Sequence, residues 1–466
     1  MQITVRIERY ADQGRCVAHS DGRVVFVRFA LPGELVRIEL DEPHERKDRF
    51  WTGEVVEVLE ASELRVPPAW PLAGPLADGG GVGGADLVHV SLPGQLAWKS
   101  ATVTEQMRRL GHVEIPDVPV ERIAGDEEMQ GLHWRTRIEL IADEQGRPSM
   151  RRRGSHQRVP IDTMPLASQA LLAVAQEHGI WDGGLEPDAH VRIAVPEPRD
   201  IDTAADGTAL HNTAADSTAV NNTAIQSTAA DNADVANDSA LRSAVGENYA
   251  ILVDGKLAAG SDQLHETTTV GARTFHYRVS SAGFWQMHRR APLVLPQHVM
   301  TLVNRVLQGR RSPVIWDLYS GSGLFTLPLA VHVPDTRMLS VEGAAQPVEN
   351  ARRNLGDIGI HAEQVKALAG DVSAVLRHVS KSLAHPDVVV LDPPRAGARK
   401  EVCRQIAAAH PAGIVYIACD PASLARDTAT LASQGYGLAD IHAFDIYPMT
   451  HHVETVALFT RKDFAR

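Results

Sequence analysis

Cysteine is scarce: three residues, Cys16, Cys403 and Cys419, in a chain of 466. That number excludes a disulfide framework and, by itself, a four-thiolate metal site, and it is the usage of a reducing compartment. Long apolar runs are missing as well. No stretch approaches the ~18 residues of a membrane span, and the opening segment MQITVRIERYADQGR carries charge from Arg6 onward with no apolar core of signal-peptide length. A cytoplasmic protein, neither exported nor inserted in a membrane, is the expectation. There is no excess of base either: 46 Lys and Arg stand against 58 Asp and Glu, a net charge of −12. Taken as a sum, that speaks against a polyanionic partner, because phosphate binding rests chiefly on counterion release by Lys and Arg. The distribution changes the reading. Residues 200–240 hold seven Asp and no Lys or Arg, so this stretch supplies −7 and the rest of the chain only −5; local basic patches are compatible with the total.

The remainder is of ordinary globular composition, 44% apolar and 22% charged, and at roughly 150 residues per domain the length predicts about three domains. Within the acidic stretch Thr-Ala recurs at 203, 208, 213, 218, 223 and 228, a five-residue interval. A solenoid of that period needs a regular large apolar residue at its centre, whereas the repeat itself, 203–229, has no aromatics and only scattered Leu210, Val220 and Ile225. It is predicted to be a disordered, low-complexity insertion in a surface loop, at about 200–240. Residues 1–62 alternate apolar and polar positions in short runs, ITVRIERY, RVVFVRF, GELVRIEL and WTGEVVEVLE, separated by Gly, Pro and Asp at turns. That pattern predicts a small barrel of the five-stranded oligonucleotide-binding type, with Tyr10, Phe26, Phe29, Phe50 and Trp51 divided between its interior and a base-stacking surface. Residues 63–290 read as a second, α/β unit interrupted by the insertion. It holds a Pro- and Gly-rich passage, a helical run near QLAWKSATVTEQMRRLG, strand-like runs such as RTRIELIA and AHVRIAV, and a basic cluster, Arg151, Arg152 and Arg153, with Arg135, Arg137 and Arg158 nearby. The cluster reads either as a solvated face or as a phosphate-binding surface.

Residues 291–466 form the third unit. After Pro313, strands alternate with helices (PVIWDLYS, TRMLSVE, PDVVVLDPP, GIVYIAC), which predicts a doubly wound parallel sheet with its ligand crevice at the carboxyl ends of the strands. The first strand runs into Gly321 and Gly323, where backbone can approach a ligand closely, and the second ends on Glu342, a carboxylate placed to accept ribose hydroxyls. An adenosine-type cofactor follows, NAD or S-adenosylmethionine. The fourth strand ends LDPPR, its two prolines fixing the loop that presents Asp392; a planar base can hydrogen-bond there, whereas hydride transfer has no particular need of it. The fifth ends at Cys419, against a helix with Asp420 as N-cap and Pro421 as first helical residue. Backbone N–H groups and the helix dipole at that place favour the thiolate, partly opposed by Asp420. On its own Cys419 also reads as a small core residue, as Cys403 does on its Ala-rich helix.

In this order, DLYSGSGLFTLPLA, LDPPRAG, YIACDPASLARD and YPMTHHVETVALF resemble the motifs of the bacterial uracil-5 RNA methyltransferases. GFWQMH is similar to their cofactor-contacting Phe-Gln segment, and the N-terminal barrel to their TRAM domain, so the likeness covers nearly the whole chain except the repeat. It implies a Rossmann-like class I methyltransferase domain preceded by an OB-like TRAM β-barrel and an α/β central domain. It implies S-adenosylmethionine as methyl donor and 5-methyluridine as product. Carried over by position, the nucleophile falls on Cys419, the general base on Glu454, and cofactor contacts on Gln286, Tyr319, Glu342, Asp371 and Asp392, the last also orienting the base. The chemistry explains these residue types: carbon 5 of uracil is a poor nucleophile, so a thiolate first adds to carbon 6, and a base later removes the carbon-5 proton before the thiol leaves.

The departures from the family pattern carry their own implications. In its ribosomal-RNA branch a C-P…C-G-G-C loop and a later Cys-Pro hold an iron–sulfur cluster; the corresponding places here read Trp70-Pro71, Val82-Gly83-Gly84-Ala85 and Met164-Pro165. With every thiolate gone, no iron–sulfur cluster and no other metal is expected, and packing takes the cluster's place. Ala418, Asp420 and Leu324 stand where the family usually or often has Ser, Asn and Asn. The expected partner is RNA, large-subunit (23S) ribosomal RNA ahead of transfer RNA, because barrel and altered cysteine loop both resemble the ribosomal branch; the protein is expected to be a monomer without a membrane partner. Three alternatives stay open at this point. One is a transfer-RNA uracil-5 methyltransferase. Another is an adenine or guanine methyltransferase working through Asp392-Pro393-Pro394 with Cys419 in the core, and the third a non-catalytic RNA-binding or assembly protein with a decayed methyltransferase domain.

Overall fold

The computed structural model describes residues 1–42, 49–198 and 240–461; the Thr-Ala repeat lies outside the described residues. Five strands close the N-terminal barrel: β1 (Gln2–Tyr10), β2 (Arg15–Ser20), β3 (Arg23–Arg28), β4 (Leu35–Leu40) and β5 (Phe50–Glu60), in the order β1-β2-β3-β5-β4, with β4 returning to β1. Period-two alternation decides what faces inward: Val36, Ile38 and Leu40 are buried while Arg37 and Glu39 between them are exposed. Asp21 and Gly22 both take positive φ, 50° and 74°, which makes the β2–β3 connection the two-residue turn that Asp-Gly favours. The barrel aromatics divide as expected. Phe29 and Trp51 are buried, Phe50 is exposed with Phe26 edge-on beside it, and Tyr10 packs against Trp98.

Trp98 belongs to α1 (Leu92–Arg109), which precedes the short strand β6 (Val120–Arg122). A six-stranded antiparallel sheet follows, β7 (Arg137–Ala142), β8 (Pro148–Arg151), β9 (Arg158–Pro160), β10 (His190–Ala194), β11 (Ala250–Val253) and β12 (Lys256–Gly260), ordered β12-β11-β10-β7-β8-β9. Because β10 and β11 are paired neighbours, the insertion between them leaves the ladder uninterrupted. Three arginines of the basic cluster are engaged within the protein. Arg153 donates to the carbonyls of Ala73, Gly74 and Val82 and lies 4.4 Å over the Phe29 ring, Arg137 is buried against Glu266 at 2.8 Å, and Arg158 pairs with Asp188. Backbone carbonyls and carboxylates from distant segments engage these side chains, a fact that local charge density does not reveal. Nearby, Trp70, Val82, Ala85 and Met164 are buried together in the apolar core that also holds Phe29 and Ile138.

After the hairpin β13 (Gln263–Val270) and β14 (Arg273–Ser280) comes the catalytic sheet: β15 (Val314–Leu318), β16 (Arg337–Glu342), β17 (Val365–Ala369), β18 (Val388–Leu391) and β19 (Gly413–Ala418), all parallel, then β20 (Tyr436–Asp445) and β21 (Glu454–Arg461). The order is β17-β16-β15-β18-β19-β21-β20-β6. Every residue of β15, β18 and β19 is buried, as a parallel sheet covered on both faces requires. The strand order reverses between the neighbours β15 and β18, the place where open α/β sheets keep their ligand crevice. This is the Rossmann-like sheet behind a closed barrel that the sequence pattern predicts. One feature is absent from that pattern: the eighth strand, β6, comes from residues 120–122 and pairs in parallel with β20, while α1 packs on the helix Pro421–Ser433. Among the described residues no helix is long and apolar enough to cross a membrane.

Candidate active site

A cleft of about 800 Å³ opens beyond the carboxyl ends of the central strands. Each strand end delivers one motif to it. Tyr319 and Gly321 follow β15, Glu342 ends β16, Asp371 follows β17, Asp392 follows β18, Cys419 follows β19, and Glu454 opens β21. Gln286 enters from the segment between the hairpin and the helix Ala291–Leu307, so all seven residues singled out from the sequence line this one cleft. Glu342 folds back over the glycine turn, one carboxylate oxygen accepting from the Gly321 N–H at 3.1 Å and the other from the Ala344 N–H at 3.0 Å. Gly321 itself has φ 53°, and a Cβ there would meet nothing within 4 Å, so open space lies over the turn. Tyr319 takes φ 62°, a left-handed conformation that costs a bulky residue about 1–3 kcal/mol and recurs where a ligand is clamped. Asp371 caps the short helix Val372–Leu376, accepting from the Ala374 N–H at 2.9 Å.

Three acidic groups meet at the far side of the cleft. Burial pushes Asp392 up to about 7, and the carboxylates of Asp317 and Glu342 add to the effect. Glu454 is 2% exposed, and burial, then the charge of Asp392, hold its carboxyl well above the usual range. The Tyr447 hydroxyl donates to its Oε2 at 3.3 Å and pulls it part of the way back, while Oε1 is buried with no partner among the described residues. A buried acceptor without a hydrogen bond costs about 1–3 kcal/mol, and such an orphan in a cleft marks a place for a ligand's proton. Cys419 differs from its expected state. The helix N-terminus is there, with Asp420 capping Pro421–Ser433 by accepting from the Ser423 N–H at 2.6 Å. Yet burial pushes the Cys419 thiol up to about 12, Glu454 and Asp392 push in the same direction, and only Arg395 pulls it down. The thiol, not the thiolate, is the resting form, because burial, reinforced by carboxylates brought in from two other loops, outweighs the local dipole. Cys403 is 1% exposed in the core, as its helix implies.

The supports of this site are what sequence reasoning missed. The segment that delivers Glu454 is gripped by α1: Gln95 accepts from the Met449 N–H at 2.9 Å, and fully buried Lys99 donates to the Tyr447 carbonyl at 2.9 Å and to the Asp445 carboxylate, which also takes Arg122. His452, pushed down to about 3 by burial and by neighbouring His451 and Arg395, is neutral and accepts from Arg395 at 3.2 Å. His451 lies 2.6 Å from Asp86. Arg395 closes the LDPPR motif and Tyr447 opens YPMTHHVE, so both were visible as motif members while their roles were not. Trp134 and Arg135 also line the cleft; Arg135 was visible as a member of the basic cluster, whereas no local pattern announces Trp134.

Comparison with known proteins bears on the whole chain. The family model of the tRNA (uracil-5-)-methyltransferases matches residues 250–462, and that of the TRAM domain matches residues 2–58. An RNA methyltransferase of Bifidobacterium longum, described as uncharacterized, is 63% identical over 99% of this chain and 97% of its own length. The 23S rRNA (uracil(1939)-C(5))-methyltransferase of Halomonas elongata is 31% identical over 99% of this chain and 90% of its own. The crystal structure of a Pyrococcus abyssi tRNA (uracil-54, C5)-methyltransferase, at 19% identity, shares the fold with a TM-score of 0.60 over 98% of this chain and 99% of that one. Barrel, cleft and catalytic sheet are thus matched together and from end to end: the chain belongs to the RNA uracil-5 methyltransferase family.

Proposed function

We propose that this protein transfers a methyl group from S-adenosylmethionine to carbon 5 of a uridine in RNA, through a covalent adduct on Cys419. The observation that carries the reading is the convergence of Cys419, Glu454 and Asp392 on one cleft, since a thiol and a buried base are needed together by the covalent route to uracil and not by an adenine or guanine methyltransferase. The cleft fits the cofactor: open space over Gly321 next to the fixed carboxylate of Glu342 suits an adenosine, with Gln286, Tyr319, Asp371 and Asp392 lining the same cleft. When bound, S-adenosylmethionine supplies an electrophilic methyl group on a sulfonium. Cys419 Sγ adds to carbon 6, its proton passing to a base in the cleft, while the electrons of the 5,6 double bond move onto the carbon-4 carbonyl. Asp392 accepts a ring N–H of uracil. That hydrogen bond draws off some of the negative charge that holds the thiol up, so base entry and activation of the nucleophile are coupled. Once carbon 5 carries the methyl group, Glu454 removes its proton, the S–C6 bond breaks and the thiol is restored.

RNA carrying 5-fluorouridine tests this, because fluorine does not leave as a cation and the adduct stalls. A denaturant-resistant protein–RNA band is expected from the wild type and from Cys403→Ala but not from Cys419→Ala; an enzyme that methylates uridine yet gives no band rules the covalent route out. The proposed RNA is that of the large ribosomal subunit, supported by the barrel, the altered cysteine loop and the similarity to the 23S enzyme. Comparison of 5-methyluridine in large-subunit and transfer RNA with and without the gene checks it, and loss from transfer RNA alone reverses the assignment. The protein works without an iron–sulfur cluster, an apolar core standing at Trp70, Val82, Ala85 and Met164; stoichiometric iron and sulfide in anaerobically purified protein would overturn this. The proposed units are the barrel (1–62), the central part (63–290) and the catalytic part (291–466), in a cytoplasmic monomer.

A further inference from the structure

A second cleft, of about 450 Å³, meets the first at the nucleophile: Gly84, Arg395, Cys419 and His452 line both. It runs from Cys419 to the barrel, where Arg15 of β2 and Arg28 of β3 form its wall. These two arginines are direct partners in the antiparallel ladder. Like charges opposed in that way destabilise a sheet, and partial burial of Arg15 makes the arrangement worse, with Asp12 and Asp41 offsetting only part of it. Arg15 Nε is buried with no hydrogen-bond partner among the described residues. The acids of the cleft are already engaged. Asp86 is taken by His451 at 2.6 Å, Asp420 by the helix N-terminus, and Asp12 accepts from the Gln13 N–H at 2.8 Å. Arg153 is bound to backbone carbonyls, which leaves Arg15 and Arg28 facing the space, with Arg395, held by His452, at its other end.

We propose that this second cleft is a subsite for a backbone phosphodiester of the RNA strand beside the target uridine, gripped between Arg15 and Arg28, with Arg395 at the Cys419 end. The inference rests on the reading of the protein as an RNA uridine methyltransferase. A phosphate seated between two guanidinium groups turns their repulsion into charge-assisted hydrogen bonds, and the strand must continue away from Cys419 in some direction once a base lies there. The second cleft is the cationic continuation, whereas the charged side chains of the first are mostly the carboxylates Glu342, Asp371, Asp392 and Glu454.

The test uses the full-length protein, Arg15→Gln, Arg28→Gln and the double variant, on unmodified large-subunit and transfer RNA transcripts. Each single variant is expected to raise KM for RNA about tenfold, with the loss concentrated in KM rather than kcat. The slope of log(kcat/KM) against log[salt] becomes shallower by about 0.7 in the double variant, as removal of one phosphate contact to a single strand requires. The melting temperature without RNA stays equal or rises, since repulsion is relieved. A second arm replaces the phosphates flanking the target in a 5-fluorouridine oligoribonucleotide, one at a time, by uncharged methylphosphonates. One replacement should slow adduct formation by the wild type about tenfold and have little further effect in the double variant. Unchanged KM and salt slope in the double variant, or equal losses in KM and kcat with a lowered melting temperature, overturn the subsite. A wild-type protein that methylates no uridine in either RNA overturns the functional reading first, and the subsite with it.

Discussion

Tyr447→Phe isolates one hydrogen bond on the proposed general base. The substitution removes the hydroxyl that donates to Glu454 Oε2 at 3.3 Å and leaves the ring, whose edge-on contacts with Trp134 and His452, at 6.0 and 5.9 Å between centroids, are kept. The Lys99 hydrogen bond is made to the Tyr447 backbone carbonyl, so the loop also keeps its anchor. A hydrogen bond to a charged group contributes about 1.5–3 kcal/mol, and a length of 3.3 Å places this one at the low end. Since 1.36 kcal/mol is a factor of ten in a protonation equilibrium, the ionised fraction of Glu454 at fixed pH falls roughly tenfold. The sign follows from the direction of the perturbation: Glu454 is already held above the usual carboxylate range, and loss of the donor raises it further. Formation of 5-methyluridine at neutral pH should drop about tenfold and recover as pH rises, so the whole pH–rate profile moves toward alkali. Formation of the 5-fluorouridine adduct precedes the proton abstraction and should stay near the wild-type yield. An equal loss at every pH, or a profile displaced toward acid, would refute the assignment of Tyr447 to Glu454.

Arg395→Gln removes the cation that pulls the Cys419 thiol down from its raised position; the rate of adduct formation should fall at least about tenfold at neutral pH and regain ground in alkali, measured by trapping with 5-fluorouridine RNA across pH. Trp70→Ala, at a side chain 3% exposed in the core where the family's ribosomal branch carries a cluster ligand, should cost about 3–5 kcal/mol in urea denaturation, and a change below 1 kcal/mol would show that packing does not hold this loop. Removal of residues 201–239 should leave melting temperature and methylation rate nearly unchanged, because β10 and β11 on either side are paired neighbours and loop-closure entropy varies slowly with length; unfolding or lost RNA binding on deletion would contradict it.

The barrel and the parallel sheet were legible because their signals are short-range: alternation in runs such as GELVRIEL, wholly apolar strands such as VVVL, and an Asp-Gly turn. The cleft was legible for a related reason, since Glu342, Asp371, Asp392 and Cys419 sit at the carboxyl ends of parallel strands and Glu454 at the start of the antiparallel β21 on the same edge, and the fold brings those ends together without further information. What was not legible depends on which loops converge. The helix N-terminus behind Cys419 is a local signal and favours the thiolate, but burial under the converging loops, with Glu454 and Asp392 arriving from other strands, reverses the outcome. Arg153 sits in a basic cluster by sequence, yet its guanidinium belongs to carbonyls at Ala73, Gly74 and Val82. Tyr447 and Arg395 were inside quoted motifs, and only their neighbours across the cleft give them roles.

The strand donated by residues 120–122 ties the order of synthesis to the order of folding. Its Arg122 meets Asp445 across 323 positions of chain, and Lys99 of α1 awaits the same carboxylate. At roughly 5–20 residues per second on the ribosome, α1 and β6 emerge on the order of a minute or less before the strand that receives them exists. The barrel, whose strands all lie within the first 60 residues, can close in that interval, while a buried lysine, an arginine and an unpaired strand edge stay in water beside it. Completion of the catalytic sheet is therefore a late event that joins the beginning of the chain to its end, and a nascent protein stalled before residue 445 would carry a finished barrel and an open sheet.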